Sequence, residues 1–530
     1  MAAFARSSKD TRRGSGQTAP HSPGAEPLCV QFRSPIHLQM EFQTSATLQL
    51  REDIRTMKFE EYRRYDAIGL AELVRKRKIS AEEVLDAAID RAEQVNPLIN
   101  AIVHKQYEQA RKALSAAPAE APLNGVPYLI KDLGLGTFQN GEPATISSGL
   151  FKDFVADHDS AYVKRCKQAG LVIMGRSSTP EFGINPSTEP RLYGPCRNPW
   201  NLEFSPGGSS GGAAAAVSAG ILPVAHATDG GGSIRMPAAH CGLFGLKPSR
   251  GRVSMAPDAG EGWGGLSTIH VISRSVRDSA LILDCTAGSE PGDPYTVPVL
   301  QGSFLSATKR RAPKLKIALM LKDHRDAKLD PECYKAVENA AKLCADLGHA
   351  IEEDSPKIDL AELYPMNRRI SAANIARVCN ARWKALGREP SPDDMEPVTW
   401  AAYQRGLSIT AVDYVEAIAV AHAAGRKLAD FLARYDVVLS ATCGPPKKLG
   451  YFDMSGDVEL HADRTIEYMG VTPLHNAAGT PAMAVPLHWT ERGLPIGVHF
   501  AGRYGEEATL LALAAQLETA QPWFDRVPAI

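Results

Sequence analysis

From residue 57 onward the chain alternates stretches of helical and strand-like hydrophobic spacing. Val84, Leu85, Ala88, Ile89 and Ala92 recur at the i, i+3, i+4 positions of a helix with one buried face. Ser80 and Glu83 form the capping box that starts it, and Pro97 is expected to end it. Leu123-Asn124-Gly125 reads as a turn, and the apolar run 126–130 as a short buried strand that leads directly into Lys131. Asp159 is placed to cap a helix through Ala169, which Gly170 stops before the apolar strand 171–174. A helix over 212–219, a strand over 221–227, a glycine loop and a short helix from Ile234 follow. Residues 300–313 read as an exposed connection and 315–321 as a strand. Asp330-Pro331 caps a helix ending at Gly348, with Tyr334, Val337, Ala341 and Cys344 on one face. Further strands are expected at 349–353 and 436–440, with helices between. A hairpin over 482–486 and 495–500 turns at 491–493, and 506–517 is a closing helix. Strands alternating with helices predict an α/β sheet protein, and no internal repeat is visible.

Composition narrows the class. Hydrophobic residues make up 44% of the chain and charged residues 22%, the balance of an ordinary globular core. Lys and Arg number 59 against 60 Asp and Glu, a net charge of -1, which offers no global attraction to nucleic acid or an anionic membrane. The nine cysteines are dispersed and none forms a C-x-x-C pair, so metal and disulfide readings are both weak and reduced, small apolar roles are expected. No apolar run approaches the length of a spanning helix, which points to a cytoplasmic protein. Residues 1–56 are rich in Arg, Ser, Gly and Pro without a buried periodicity, and are predicted to be a disordered extension ahead of one domain over 57–530.

The chemistry gathers in two serine-glycine clusters. Ser209 and Ser210 lie inside Gly207–Gly212, and Ser233 follows Gly230, Gly231 and Gly232 directly. Glycine at this density lets backbone N–H groups approach a ligand closely. A phosphate loop is disfavoured because alanines, not G-K-[ST], follow Gly212. A nucleophile elbow centred on Ser210 fits G-x-S-x-G, yet NLEFSP ahead of it is not the strand an elbow needs. The third reading joins both clusters to Lys131. Ser233 beside consecutive free N–H groups is a nucleophile next to an oxyanion hole, and a lysine at the end of an apolar strand can be desolvated enough to act as a neutral base.

FSPGGSSGGAAAAVSAG, then DGGGSIRMPAAHCGLFGLKPSRGRVS, with GVPYLIKD upstream, resembles the amidase signature family of Ser-cisSer-Lys hydrolases. The NPWNLE lead-in and GLKPSRGR tail are most similar to its cyclic-amide hydrolases of nylon oligomers and related bacterial amidases. The likeness runs from about residue 57 to the end, with a signature core over about 120–260, and includes TPLHNAAGTPAMAVP and GLPIGV near the C-terminus. Lys131, Ser209 and Ser233 occur in order, spaced 78 and 24 residues apart as the family requires. The resemblance implies a large mixed central sheet with helices on both faces, and a hydrolase acting on carbon–nitrogen amide bonds through an acyl-enzyme. It makes Ser233 the nucleophile, Ser209 a bridging serine in a cis peptide and Lys131 the base. Gly230, Gly231, Gly232 and Ser233 become the oxyanion donors, and no metal or cofactor is implied. The expected partner is a small-molecule amide, with a homodimer allowed and neither nucleic acid nor membrane involved.

Simpler roles compete for several of these residues. Read alone, Lys131 is a solvated strand-end charge and Ser209 a helix N-cap. Asp229 and Arg235 are expected to be a supporting ion pair for the glycine loop. His226 and His240 lie near Ser233 in sequence but sit among small apolar residues, as core histidines do, and Cys196 and Cys241 read as core residues. Lys309-Arg310-Arg311 reads as a solvated linker face. Other functions on the same residues are an amidotransferase-type subunit releasing ammonia within a complex, an esterase or carbamate hydrolase, and a catalytically silent binding protein. Substrate choice is expected to rest on 134–148 and 360–450.

Overall fold

The computed structural model describes residues 57–530 apart from positions 117, 119, 311, 323–326 and 360, so the expected N-terminal arm lies outside the described residues. Its strands are β1 (Ile102–Lys105), β2 (Pro127–Lys131), β3 (Val172–Ser177), β4 (Val224–Asp229), β5 (Phe244–Lys247), β6 (Thr268–Ser273), β7 (Lys316–Leu319), β8 (Ala350–Glu353), β9 (Val437–Ala441), β10 (Ala482–Trp489) and β11 (Pro495–Gly502). They form a three-stranded sheet, β1-β3-β2, and an eight-stranded sheet, β4-β6-β5-β10-β11-β9-β7-β8. The large sheet is mixed, because β7 runs parallel to β8 and β9 while β9 runs antiparallel to β11.

Strand alternation explains why helices cover both faces of this sheet. Ala318 and Val438 pair across β7 and β9 and pack with Leu428 and Leu474, from helices Ala411–Leu432 and Thr472–Ala477. Ile317 and Leu439, on the opposite face, pack with the core that contains Val337 and Leu510, from helices Pro331–Asp346 and Glu507–Ala520. At Gly497 in β11 a Cβ would lie 2.5 Å from Ala239 of helix Arg235–Cys241, so this helix lies against the backbone of the sheet. Among the described residues no single helix is long and apolar enough to cross a membrane.

Several local expectations are corrected. The helix begun by the Ser80–Glu83 capping box runs Ala81–Ile99, through Pro97. It ends because Asn100 turns left-handed and Asn96 Oδ1 accepts the N–H groups of Ala101 and Ile102, at 2.8 Å each. Tyr334 is exposed and Cys333 takes the buried position, since Cys333, Val337, Ala340 and Cys344 share one stripe of the helix. The segment 300–313 carries a short helix, Phe304–Ala307, whose Phe304 enters the core under the Arg252 guanidinium. The β1, β5 and β6 strands had no alternating pattern to mark them, because β5 and β6 are buried throughout.

Candidate active site

Lys131 is positioned by its strand. β2 pairs in parallel with β3 as far as Lys131 opposite Ser177, and the Lys131 backbone N–H donates to His226 Nδ1 on β4 at 3.0 Å. The side chain is fully buried, and Nζ lies 2.6 Å from Ser209 Oγ and 3.0 Å from both Ser210 Oγ and Thr228 Oγ1. Burial pulls the Lys131 pKa down to about 7, with Asp229 opposing the shift. A solvated strand-end lysine is therefore excluded. His226 is held neutral by burial and by the neighbouring Lys131, and His240 by burial alone at about 4, with its ring against Tyr468 Oη.

The first glycine cluster presents Ser209 to this amine. The Gly208–Ser209 peptide is cis. The helix Gly211–Ser218 is capped by Ser210, not Ser209, because the Ser209 side chain is turned to Lys131. Gly212 lies against the Ser178 backbone, where a Cβ has no room. The two clusters meet where Ser210 N–H donates to Ser233 O at 3.3 Å.

In the second cluster Asp229 organises the loop. Its Oδ1 accepts the Gly232 N–H at 2.7 Å and its Oδ2 the Ile234 N–H at 3.1 Å. This corrects the expectation that Gly232 points its N–H at the substrate, since that donor is already engaged by the carboxylate. Gly232 also has φ +136°, and a Cβ there would meet Thr472 Oγ1 at 2.6 Å. The N–H groups of Gly230, Gly231 and Ser233 have no protein acceptor among the described residues. The loop is held from its carbonyl side instead, with Asn367 Nδ2 donating to Gly230 O at 3.1 Å and Thr472 Oγ1 to Gly231 O at 2.7 Å.

Asp229 and Arg235 are both fully buried and joined by two hydrogen bonds of 2.9 Å. Arg235 also reaches Thr472 O, His499 Nε2 and Asn476 Oδ1, and Asn476 Nδ2 returns to Asp229 Oδ1 at 2.9 Å. The Arg235 guanidinium holds the Asp229 carboxyl well below the usual range against the opposing effect of burial. Arg235→Met leaves that carboxylate buried without its counter-ion, so destabilisation of about 3–5 kcal/mol is expected in chemical denaturation. A loss under about 1 kcal/mol would show that the loop does not depend on the pair.

Ser233 is partly exposed, and two cavities meet at it, sharing Gly183, Gly230 and Trp263. One is apolar, walled by Leu135, Phe138, Phe151, Phe154, Phe182 and Met255. The other is polar, walled by Asn185, Asn367, Arg368, Arg405, His461 and Thr465. Both draw on the segments 134–148 or 360–450, and also on Phe151, Phe182, Met255 and His461, which lie outside them. Ser210, Thr228, Asn367, Thr472 and Asn476 are the functional neighbours that pattern reading missed. TPLHNAAGTP was visible as a motif, but nothing local placed it beneath a glycine loop some 240 residues earlier.

The family model described as Amidase matches residues 83–511. The 6-aminohexanoate-cyclic-dimer hydrolase of Paenarthrobacter ureafaciens is 35% identical over 478 residues, covering 88% of this chain and 96% of that protein. A solved structure of 6-aminohexanoate cyclic dimer hydrolase complexed with substrate superposes with a TM-score of 0.84 at 34% identity, over 88% of this chain and 98% of that one. A bacterial aryl acylamidase of the amidase signature enzymes superposes with a TM-score of 0.79 at 27% identity, over 87% of this chain and 98% of its own.

Proposed function

The chain belongs to the amidase family of amide-bond hydrolases, and from that premise we propose that it forms an acyl-enzyme on Ser233, with Lys131 and Ser209 relaying the proton. The observation that carries the reading is a fully buried lysine with three hydroxyls around Nζ and a pKa drawn to about 7. Ser210 Oγ donates to Thr228 O at 3.2 Å, so toward Lys131 it can only accept. A neutral amine has two protons to donate, to Ser210 and Thr228, and one lone pair left for the Ser209 proton.

In the acylation step Lys131 Nζ takes the Ser209 proton as Ser209 Oγ takes the proton of Ser233, whose Oγ attacks the amide carbon. The N–H groups of Gly230, Gly231 and Ser233 are free to receive the oxyanion. Collapse breaks the C–N bond. Ser209 then delivers a proton to the departing nitrogen and recovers one from the Lys131 ammonium. Water, deprotonated through the same relay, cleaves the ester and frees Ser233.

Amides, carbamates and esters all suit this step, so the substrate panel should include linear amides, anilides, carbamates and cyclic amides such as that named for the Paenarthrobacter relative. A fluorophosphonate probe is expected to label Ser233, read by peptide mass spectrometry, and to stop turnover in step with labelling. Labelling of another serine, or inhibition without modification of Ser233, would sink the reading. An amidotransferase-type subunit is not carried forward, because the related proteins that span the chain are named as hydrolases acting on amides.

A further inference from the structure

The two cavities that meet at Ser233 differ in chemistry, and the polar one holds an unbalanced charge. Arg368 comes from helix Leu363–Leu386 and Arg405 from helix Pro397–Ser408, and both are half-buried in its wall. Neither guanidinium has a carboxylate within 4.0 Å or a hydrogen-bond acceptor among the described residues. Arg368 has only the face of Tyr364, with its guanidinium carbon 5.7 Å from the ring centre. The two arginines are close enough that each disfavours the other's charge, and the nearest acid, Glu459, stands on the exposed side of helix Val458–Tyr468 beyond ion-pair distance. His461, on the same helix, is held neutral at about 4 by burial and by Arg368, and Asn185 and Asn367 add only amide groups.

Elsewhere in this molecule buried arginines are matched. Arg235 has Asp229, and Arg252 has Glu507 at 2.8 Å. Two half-desolvated guanidiniums without counter-ions on one cavity wall are costly in the empty chain, and the planar fork of arginine matches a carboxylate in both shape and charge.

Resting on the reading of Ser233 as nucleophile, we propose that the Arg368–Arg405 limb binds a carboxylate on the substrate while the phenylalanine-lined limb holds an apolar group. The substrate class is then an amide with an aryl or alkyl group on one side of the scissile bond and an acidic chain end on the other.

The test uses the full chain and two series of synthetic amides. One series is N-phenylacetyl ω-amino acids of increasing length, each beside the N-phenylacetyl alkylamine that lacks the carboxylate. The other reverses the amide, pairing dicarboxylic acid mono-phenethylamides with N-phenethyl alkanamides. At one chain length in one orientation, kcat/KM for the acid is expected to exceed that of its neutral partner by at least about tenfold. In Arg368→Met and Arg405→Met that ratio should fall by about tenfold, carried mainly by KM, and Arg405→Lys should restore part of it. The wild-type ratio needs no variant, so a misfolded variant leaves the test intact. Ratios near one at every length in both orientations, or no turnover of either series while Ser233 is still labelled by the fluorophosphonate, would overturn the anionic limb alone. Absence of Ser233 labelling would instead overturn the nucleophile.

Discussion

Ser233→Ala is expected to lower kcat/KM by at least about 10⁴-fold and to abolish fluorophosphonate labelling while leaving stability within about 0.5 kcal/mol of wild type. The two halves of this result have separate causes. The Ser233 hydroxyl is partly exposed and has no hydrogen-bond partner among the described residues, so its removal opens no cavity in the core and strands no buried donor. The glycine loop around it is held through backbone atoms, by Asp229, Asn367 and Thr472, and these contacts are unchanged in alanine. Activity depends on one covalent bond formed by that oxygen, and no neighbouring group can form it. Ser209 is buried at the inner end of the site, turned to Lys131. Measured turnover in the alanine variant within tenfold of wild type would remove Ser233 from the chemistry.

Lys131→Met should reduce kcat/KM by about 10³-fold or more, and its stability should carry a pH signature that a merely structural lysine would lack. The wild-type amine titrates near 7 in the fold against an ordinary value of 10.5. Across that window the unfolded chain holds a proton that the native chain has released. Raising the pH therefore stabilises wild type relative to the methionine variant, which titrates nowhere at this site. The change is on the order of 4 kcal/mol across the full window, and denaturant melts at pH 7 and pH 9.5 should capture a large part of it. A gap independent of pH would show that Lys131 is not shifted. Lys247 is also buried and drawn to about 7, but it is present in both proteins and cancels in the comparison. The same ionisation sets the rate profile, since only the neutral amine accepts a proton. In wild type kcat/KM should rise with pH and level off above about 7.

Legibility differed between kinds of residue for reasons that the structure makes plain. Lys131, Ser209 and Ser233 could be found because each stands at a break in a local pattern, a charge ending an apolar strand or a hydroxyl among glycines. The pair Asp229 and Arg235 could be found because six residues separate them and the loop between them is glycine. Gly232 was assigned with its neighbours as a donor because composition does not say which way an N–H points. Its direction was decided by Asp229 Oδ1. Ser210 and Thr228 escaped notice because a hydroxyl in a serine-glycine run or at a strand end is ordinary until an amine is known to lie 3.0 Å away. The continuation of the helix past Pro97 was hidden for a similar reason, since its end is set by the Asn96 side chain and the left-handed Asn100.

The amino-acid sequence by itself determined the α/β class, the amidase family and the three residues around which the site is built, because these rest on periodicity and on short motifs whose members lie close in the chain or recur at fixed spacing. Only the tertiary structure decided what those residues can do. Desolvation is a property of everything packed around Lys131, and no window of sequence contains it. The beds of the glycine loop come from Asn367, Thr472 and Asn476, far along the chain. The division of the pocket into an apolar limb and one with two unpaired arginines arises where distant helices and loops meet at Ser233, so it is written in no local pattern.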